Sequence, residues 1–383
     1  MNSRLRIVQA VSSLGEGGME WVPLMLAPGL REKDQEVSVW ADPDSFLGRK
    51  TAERGFSPKP FRFSGYFHPS SIWKVRQALR KDPPDLIHLH HSRDLSTVVP
   101  ALALEGWKGP LVLSKHVASS ILKKDFLHRW LYRRVDLLLA CSDFIRRNVI
   151  ETCPIDPGKV RTAFAPVDTR RFRADPDARK RKRKAWGWEG REVIGMVARI
   201  TPGKGHELFL EVAARLLAER PGACFRIAGH YSPDEEWFHD RLMALRRRLG
   251  LEKSVVYEGR VEEVQEFLSG LDVVVHMARA ESFGMSVAEA LACGRPVIVR
   301  RGGGIAEILE GKGNKACAGI VLDTDDPGEW ARVLARVLKS KPLAARFRRE
   351  SRPTASRFSL GSWVDLHLRW YRQLLEAKRQ PAG

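Results

Sequence analysis

The sequence predicts an α/β protein built from two doubly wound domains, each a parallel sheet flanked by helices. Three observations carry that prediction. Through the first half, short apolar runs alternate with amphipathic segments, the pattern of βαβ units. The alternation breaks over a polar, Pro- and Arg-rich stretch at residues 166–191 and then restarts. At 383 residues the chain has the length of two or three domains.

In the first half the apolar runs predict strands over 5–11, 36–41, 85–90, 110–115 and 136–141, with helical patterns such as 71–80 and 143–151 between them. Pro83-Pro84 punctuates the entry to the third strand. The stretch 166–191 reads as a linker followed by a basic helix. In the second half strands are predicted over 193–199, 224–228, 255–257, 272–277, 296–299 and 319–322. After the first of these, Leu208, Phe209, Val212, Ala213, Leu216 and Leu217 line one face of a helix. From Leu360 the chain is helical, with Trp363, Leu366, Trp370, Leu374 and Leu375 at helix-like spacing. No sequence repeat is visible, yet each half opens with a strand running into a glycine-containing turn. Ligands of such sheets bind at the carboxyl ends of the strands, so the cleft between the domains is the expected site.

The bulk properties exclude several classes. The chain is 43% hydrophobic, enough for full cores, and no stretch has the composition of a disordered segment. It lacks an apolar run of about 18 residues, so no membrane-spanning helix is predicted. Residues 5–11 are too short and broken for a signal peptide and read as the first strand. Cys141, Cys153, Cys224, Cys293 and Cys317 are odd in number, scattered and without metal spacing, which predicts reduced thiols in a cytoplasmic protein. The net charge of +19 calls for nucleic acid, an anionic membrane surface or phosphorylated small molecules as partner. Its densest cluster, Arg179-Lys180-Arg181-Lys182-Arg183-Lys184, runs into Ala185-Trp186-Gly187-Trp188. Basic residues beside tryptophans fit a lipid headgroup region; a solvated helix face is the alternative. Most of the eleven tryptophans are expected to be packing residues. No nucleic-acid motif is visible.

The most informative run is Ala280 to Ile298, with Glu281 in a loop and Glu289 eight residues on, inside a short helix. That helix stops at Gly294 and feeds an apolar strand. Carboxylates at the mouth of a sheet suit a ligand rich in hydroxyls, because a hydroxyl donating to a carboxylate makes a charge-assisted bond. The turn Phe283-Gly284-Met285-Ser286 can aim free N–H groups at a phosphate oxygen. Gly15-Glu16-Gly17-Gly18-Met19-Glu20 follows the first strand and opens a helix; it fits either a phosphate site or a plain tight turn. Arg199-Ile200-Thr201-Pro202-Gly203-Lys204-Gly205-His206 holds the equivalent place in the second half. There Arg199 and Lys204 can both reach one diphosphate, the first as a planar fork and the second as a point charge. Surface charge is the plain alternative. His88, His90 and His91 end a strand on which 88 and 90 share a face, which favours cleft-lining or packing over metal binding. His116 stands alone after the fourth strand.

Taken together these residues resemble the retaining glycosyltransferases of family four, which have the GT-B fold, and the resemblance covers nearly the whole chain. Its marks are Glu281 and Glu289 with Gly294-Arg295-Pro296-Val297, Arg199 with Lys204-Gly205, the Gly17-Gly18 turn, and His116. Smaller echoes are Ala140-Cys141-Ser142, Val167-Asp168 with Phe172, and Gly303-Gly304-Ile305-Ala306-Glu307. Thr201-Pro202-Gly203 before the lysine, and His230 after Gly229, depart from the family pattern. The resemblance implies two Rossmann-like domains, 1–175 on the acceptor side and 190–361 for the nucleotide sugar, with the helix 362–383 returning to the first. It implies that Glu281 contacts the donor sugar and Glu289 the ribose, while Arg199 and Lys204 hold the diphosphate. The Gly18 amide and the stretch Phe283, Gly284, Met285, Ser286 and Val287 complete the donor site. His116 sits beside donor sugar and acceptor, and Glu20 faces the acceptor. The implied chemistry is front-face displacement with retention, a donor phosphate oxygen taking the acceptor proton, without metal or other cofactor.

The resulting expectation is a cytoplasmic hexosyltransferase using a nucleotide sugar, a UDP-sugar in first place. The basic charge and the segment 179–188 point to an anionic or membrane-held acceptor, such as a lipopolysaccharide core, and to a peripheral position on the inner face of the cytoplasmic membrane. The rivals are a GT-B-shaped UDP-sugar epimerase, a basic nucleic-acid-binding protein and an inactive relative, the last opposed by the intact Arg199, Lys204, Glu281 and Glu289 set.

Overall fold

The computed structural model describes residues 4–62, 66–310 and 318–379, so Cys317 and the last four residues lie outside the described residues. Contacts divide the chain into two compact units, 1–166 with 360–383, and 167–359.

The first unit alternates strand and helix: β1 Arg6–Val11, α1 Gly18–Glu32, β2 Glu36–Ala41, α2 Phe46–Glu53, β3 Lys59–Pro60, α3 Pro69–Lys81, β4 Leu86–Leu89, α4 Leu95–Glu105, β5 Leu111–Lys115, α5 Phe126–Arg133, β6 Leu137–Ala140, α6 Asp143–Thr152 and β7 Val160–Thr162. The strands form one parallel sheet in the order β3-β2-β1-β4-β5-β6-β7. Every residue of β4, β5 and β6 is buried, which is why their sequences are mostly apolar, interrupted only by His88, Ser114 and Lys115. Two strands not expected from the sequence, β3 and β7, are two and three residues long and form the sheet edges, where Pro60 is tolerated.

The second unit begins with α7 Pro176–Ala185 and continues through β8 Val193–Val197, α8 His206–Glu219, β9 Cys224–Ala228, α9 Glu236–Arg248, β10 Val255–Gly259, α10 Val264–Gly270, β11 Val273–His276, α11 Met285–Ala292, β12 Val297–Arg300, α12 Ala306–Leu309, β13 Gly319–Leu322, α13 Pro327–Lys339 and α14 Lys341–Ser356. Its parallel sheet has the order β10-β9-β8-β11-β12-β13. Ile194, Met196, Phe209, Phe225 and Trp330 centre its core. The last helix, α15 Leu360–Arg379, belongs to the first unit, where Trp363, Val364, Leu368, Trp370 and Tyr371 join Leu5, Ile7 and Val22 in one cluster. A Cβ on Gly29 of α1 would stand 2.5 Å from Val364 Cγ2, so only glycine lets these two helices approach so closely.

In each sheet the first strand lies between the second and the fourth, β1 between β2 and β4, and β8 between β9 and β11. Where strand order reverses, the loops leaving the two central strands diverge and open a crevice at their carboxyl ends. The glycine turn after β1 and the Arg199–Lys204 loop after β8 both start from such a point.

The basic run at 179–184 is only in part the solvated or headgroup-facing helix that its composition implied. Arg179 and Arg183 pair with Asp272 at 2.6 and 3.1 Å and donate to the carbonyls of Ser269, Leu271 and Gly270, and Lys182 pairs with Glu266. Trp188 is buried against Trp186 and Phe267, with the Arg226 guanidinium 5.2 Å from its ring. Three of the six cations thus fasten α7 to the second unit, and Lys180, Arg181 and Lys184 remain outward.

Candidate active site

In the second unit Lys204 and Glu281 meet directly. The loop after β8 carries Lys204 to the crevice, and the loop after β11 brings Glu281, so that Nζ donates to Oε2 at 2.7 Å. Glu281 is fixed through its backbone as well. Its N–H donates to the Gly302 carbonyl at 3.3 Å, and its own carbonyl accepts from Gly304 at 2.7 Å. Gly303, at φ +70°, lies under this bridge, and a Cβ there would stand 2.1 Å from the Glu281 carbonyl oxygen. Burial opposes charge on Glu281, but His276, 3.5 Å from Oε2, and the Lys204 ammonium outweigh it and hold the carboxyl down at about 2. The group is an anion at any physiological pH.

Two histidines that sequence reasoning passed over stand behind this pair. His276 closes β11 and His206 opens α8, with 3% and 0% of their surface exposed. Nδ1 of His276 and both ring nitrogens of His206 are buried with no hydrogen-bond partner among the described residues. Burial, then the neighbouring His276 and Lys204, push His206 down to about 4, so its ring is neutral. As the last letter of an apolar strand and the first of an amphipathic helix, neither carries a local signal in the sequence.

Gly284 is the N-cap of α11. Its carbonyl accepts from Val287 and Ala288, so the Val287 amide, expected to face a donor, is already engaged. The amides of Met285 and Ser286 precede the first intrahelical bond and remain as donors at the positive end of the helix. Phe283 is 3% exposed and packs edge-on against Phe358, so it offers a ligand only main chain. Glu289 lies on the second turn of α11, partly buried. Burial pushes its carboxyl up to about 7 against the weaker pull of Arg171. Arg199 is not drawn into the Lys204–Glu281 pair; its side chain is 46% exposed and 3.8 Å from Glu235.

In the first unit Gly17 caps α1, and its carbonyl accepts from Glu20 and Trp21, leaving the Gly18 and Met19 amides ahead of the first helical bond. Glu20 does not reach outward as an acceptor ligand. It is 3% exposed, and its carboxylate folds back over the turn, 3.4 Å from where a Cβ on Gly17 would stand. The helix N-terminus attracts the negative charge.

Across the crevice from the glycine turn the end of β4 presents buried histidines. His90 Nε2 donates to Gln9 Oε1 at 2.6 Å; Gln9 Nε2 donates to the Tyr371 hydroxyl at 3.5 Å; that hydroxyl is hydrogen-bonded to His88 Nδ1 at 2.6 Å; and His88 Nε2 is hydrogen-bonded to the Ser114 hydroxyl at 2.8 Å. His116 stacks on His90 at 5.8 Å with its Nε2 buried and unpartnered among the described residues; burial and the adjacent Lys115 bring it down to about 3. Lys115 itself falls to about 8 through burial, then Lys123. Asp94, fully buried and raised by that burial, accepts from the Ser12 amide at 3.2 Å and holds His91 at 3.7 Å. Among the described residues no group of three or more His, Cys, Asp and Glu is placed to hold a metal, and Cys141, Cys153, Cys224 and Cys293 are buried thiols.

Two family models match the chain, one mostly within each unit. The model described as glycosyltransferase family 4 matches residues 16–171, and that described as glycosyl transferases group 1 matches 178–354. The fold is that of Anabaena HepE, crystallised with UDP and glucose, at a TM-score of 0.83 over 96% of this chain and 100% of that one, with 19% identity. The chain belongs to the GT-B glycosyltransferases. A glycosyltransferase from Rickettsia africae shares the fold at a TM-score of 0.84, over 97% of this chain and 99% of that one, with 18% identity. Among curated relatives, the D-inositol 3-phosphate glycosyltransferase of Acidothermus cellulolyticus is 28% identical to this glycosyltransferase over 78% of this chain and 69% of its own. Its counterpart from Saccharomonospora viridis is 29% identical over 78% and 72%.

Proposed function

We propose that this glycosyltransferase moves a hexose from a UDP-sugar, with retention, to a polar acceptor that carries negative charge. The observation that carries the reading is the Lys204–Glu281 pair set beside the open amides of Met285 and Ser286. A cation, two free N–H donors and a carboxylate match the diphosphate and the hydroxyls of one nucleotide sugar. Lys204 and Arg199 hold the diphosphate, Glu281 takes a hydroxyl of the transferred sugar, and Glu289 takes the ribose. The C1–oxygen bond to the diphosphate breaks, the acceptor oxygen bonds C1 on the same face, and its proton passes to a donor phosphate oxygen. The cations gain most as the leaving diphosphate gains charge, which favours the transition state over the ground state.

HepE, which shares the fold, crystallised in complex with UDP and glucose, and this supports a UDP-sugar as donor. The curated relatives favour an acceptor with phosphate beside hydroxyls, as in an inositol phosphate. The net charge of +19 suits that acceptor and equally an anionic glycolipid such as a lipopolysaccharide core, reached from the cytoplasmic side. Protein cations in place of a metal predict that turnover survives EDTA.

The test is a melting screen of nucleotide sugars, since a ligand of the native state raises its stability by mass action. It is followed by UDP release with inositol phosphate or glycolipid offered as acceptor. A UDP-sugar that raises the melting temperature, and a product keeping the donor's anomeric configuration, support the reading. An inverted product overturns retention, and sugar conversion without an acceptor favours the epimerase.

A further inference from the structure

The strongest unassigned surface lies in the first unit, on α5 and the segment before it. Ile121, Leu122, Phe126, Leu127 and Trp130 are 62%, 72%, 86%, 43% and 39% exposed, five large apolar side chains within ten residues. Contiguous exposure on this scale marks an interaction surface. It does not come from a slack loop. Asn148 of α6 clasps Ser119 on both sides, Oδ1 accepting from the Ser119 amide at 2.7 Å and Nδ2 donating to its carbonyl at 3.0 Å, and the Lys123 amide donates to the Thr152 carbonyl at 2.8 Å. Asp125 caps α5 by accepting from the His128 amide at 3.0 Å. Leu131 and Tyr132 anchor the inner face of α5 in the core. At helical spacing Phe126, Leu127 and Trp130 then share the outer face, flanked by Arg129 and Arg133, with Lys123 and Lys124 just ahead.

We propose that residues 117–133 form the surface by which the protein docks on an anionic lipid bilayer, with Phe126, Leu127 and Trp130 entering the headgroup boundary and Lys123, Lys124, Arg129 and Arg133 meeting the lipid phosphates. Charge complementarity selects this occupant. Cations ring the apolar face and the whole chain carries +19, whereas a second copy of the chain would bring like charge against like. The assignment moves membrane contact away from the 179–188 segment, whose Trp188 is 1% exposed and whose Arg179 and Arg183 are engaged with Asp272. It rests on the acceptor reading above only so far as it explains how a lipid-held acceptor is met.

The test is co-sedimentation of the full-length protein with phosphatidylglycerol-containing vesicles and with phosphatidylcholine vesicles at low ionic strength. Wild type should sediment with the first and not the second. The Phe126→Ser/Leu127→Ser/Trp130→Ser variant should bind at least about tenfold more weakly, while Lys180→Gln/Arg181→Gln/Lys184→Gln should bind like wild type. No sedimentation of wild type, equal binding by the apolar variant, or a wild-type dimer that this variant dissolves without any vesicle binding would each overturn the proposal. Should the triple variant fail to melt cooperatively, Phe126→Ser at the most exposed position decides in the same way. UDP binding measured without vesicles separates this proposal from the enzymatic one: its absence in wild type counts against the donor reading and leaves the vesicle result standing.

Discussion

At the crevice of the first sheet, between β1 and β4, stand neutral imidazoles, an amide and a phenol joined in a hydrogen-bonded chain and almost wholly buried. At the corresponding crevice of the second sheet, between β8 and β11, stand an ammonium and a carboxylate, 27% and 19% exposed, in direct contact. Strand order around the two points is the same, with the opening strand between the second and the fourth. Topology therefore supplies a crevice twice, and the residues at the strand ends decide its chemistry. A closed network of neutral groups resists rearrangement, because every bond lost leaves a buried polar atom unpaired. A partly exposed ion pair can exchange partners: under the proposed function, a diphosphate arriving at Lys204 would replace Glu281 and free that carboxylate for sugar hydroxyls. The contrast agrees with the proposed function, which puts the diphosphate at the second crevice, and it gives the histidine chain of the first a stabilising role.

The largest effect should follow from breaking the charged crevice. Lys204→Ala removes the cation that the proposed function puts on the diphosphate and leaves Glu281 with His276. The expected loss in kcat/KM is about 10²–10³-fold, the scale of a lost preorganised donor, read as UDP release under saturating acceptor. Arg199→Ala should cost less, because that side chain is half exposed and already shared with Glu235. A Lys204→Ala enzyme within a few-fold of wild type would end the assignment of the second crevice to the diphosphate.

The neutral crevice should answer in stability before activity. Tyr371→Phe removes the hydroxyl that links Gln9 to His88 and leaves His88 Nδ1 buried without that partner. The expected cost is about 1–3 kcal/mol of unfolding free energy, measured in urea, with kcat lowered much less than in Lys204→Ala. A large fall in kcat at unchanged stability would show that the histidine network takes part in chemistry and would erase the contrast between the two sheets.

What the sequence disclosed divides along the same line. Glu281, Glu289 and Lys204 could be singled out because each lies in a short run whose glycines and helix starts are local, and the structure brings Lys204 and Glu281 into contact. The strands at 36–41, 224–228 and 319–322 coincide with β2, β9 and β13 residue for residue. The network of the first crevice was not legible, since His88 and Tyr371 are 283 residues apart and meet only after α15 packs on the first unit. Nor could composition tell that Arg179 and Arg183 have Asp272 as partner, about 90 residues on. His276 escaped because a histidine ending a run of valines reads as strand. Whether it positions Glu281 is testable: His276→Leu keeps the bulk and removes the Nε2–H, and should raise the donor KM by about tenfold, the equivalent of one hydrogen bond to a charged group. A change in kcat alone would deny it that positioning role.

The smallest effect concerns the two glutamates, which share a helix-and-loop motif and differ in their titration. Glu281, held at about 2, contributes stability that is fully present above its ordinary value of 4.5 and is lost only as the pH falls through about 2, so it adds no pH dependence near neutrality. Glu289, raised from 4.5 to about 7, has the opposite sign. The stability it contributes is present below 4.5 and is lost as the pH rises through about 7, because deprotonation then places a charge in a site that disfavours it. Glu289→Gln should therefore leave the melting temperature of the free protein nearly unchanged near pH 4.5 and raise it by a few degrees at about pH 8. With UDP-sugar bound the advantage should shrink, since ribose hydroxyls donate better to the carboxylate than to the amide. A difference that is flat in pH would place Glu289 in ordinary solvent and remove its claim on the ribose.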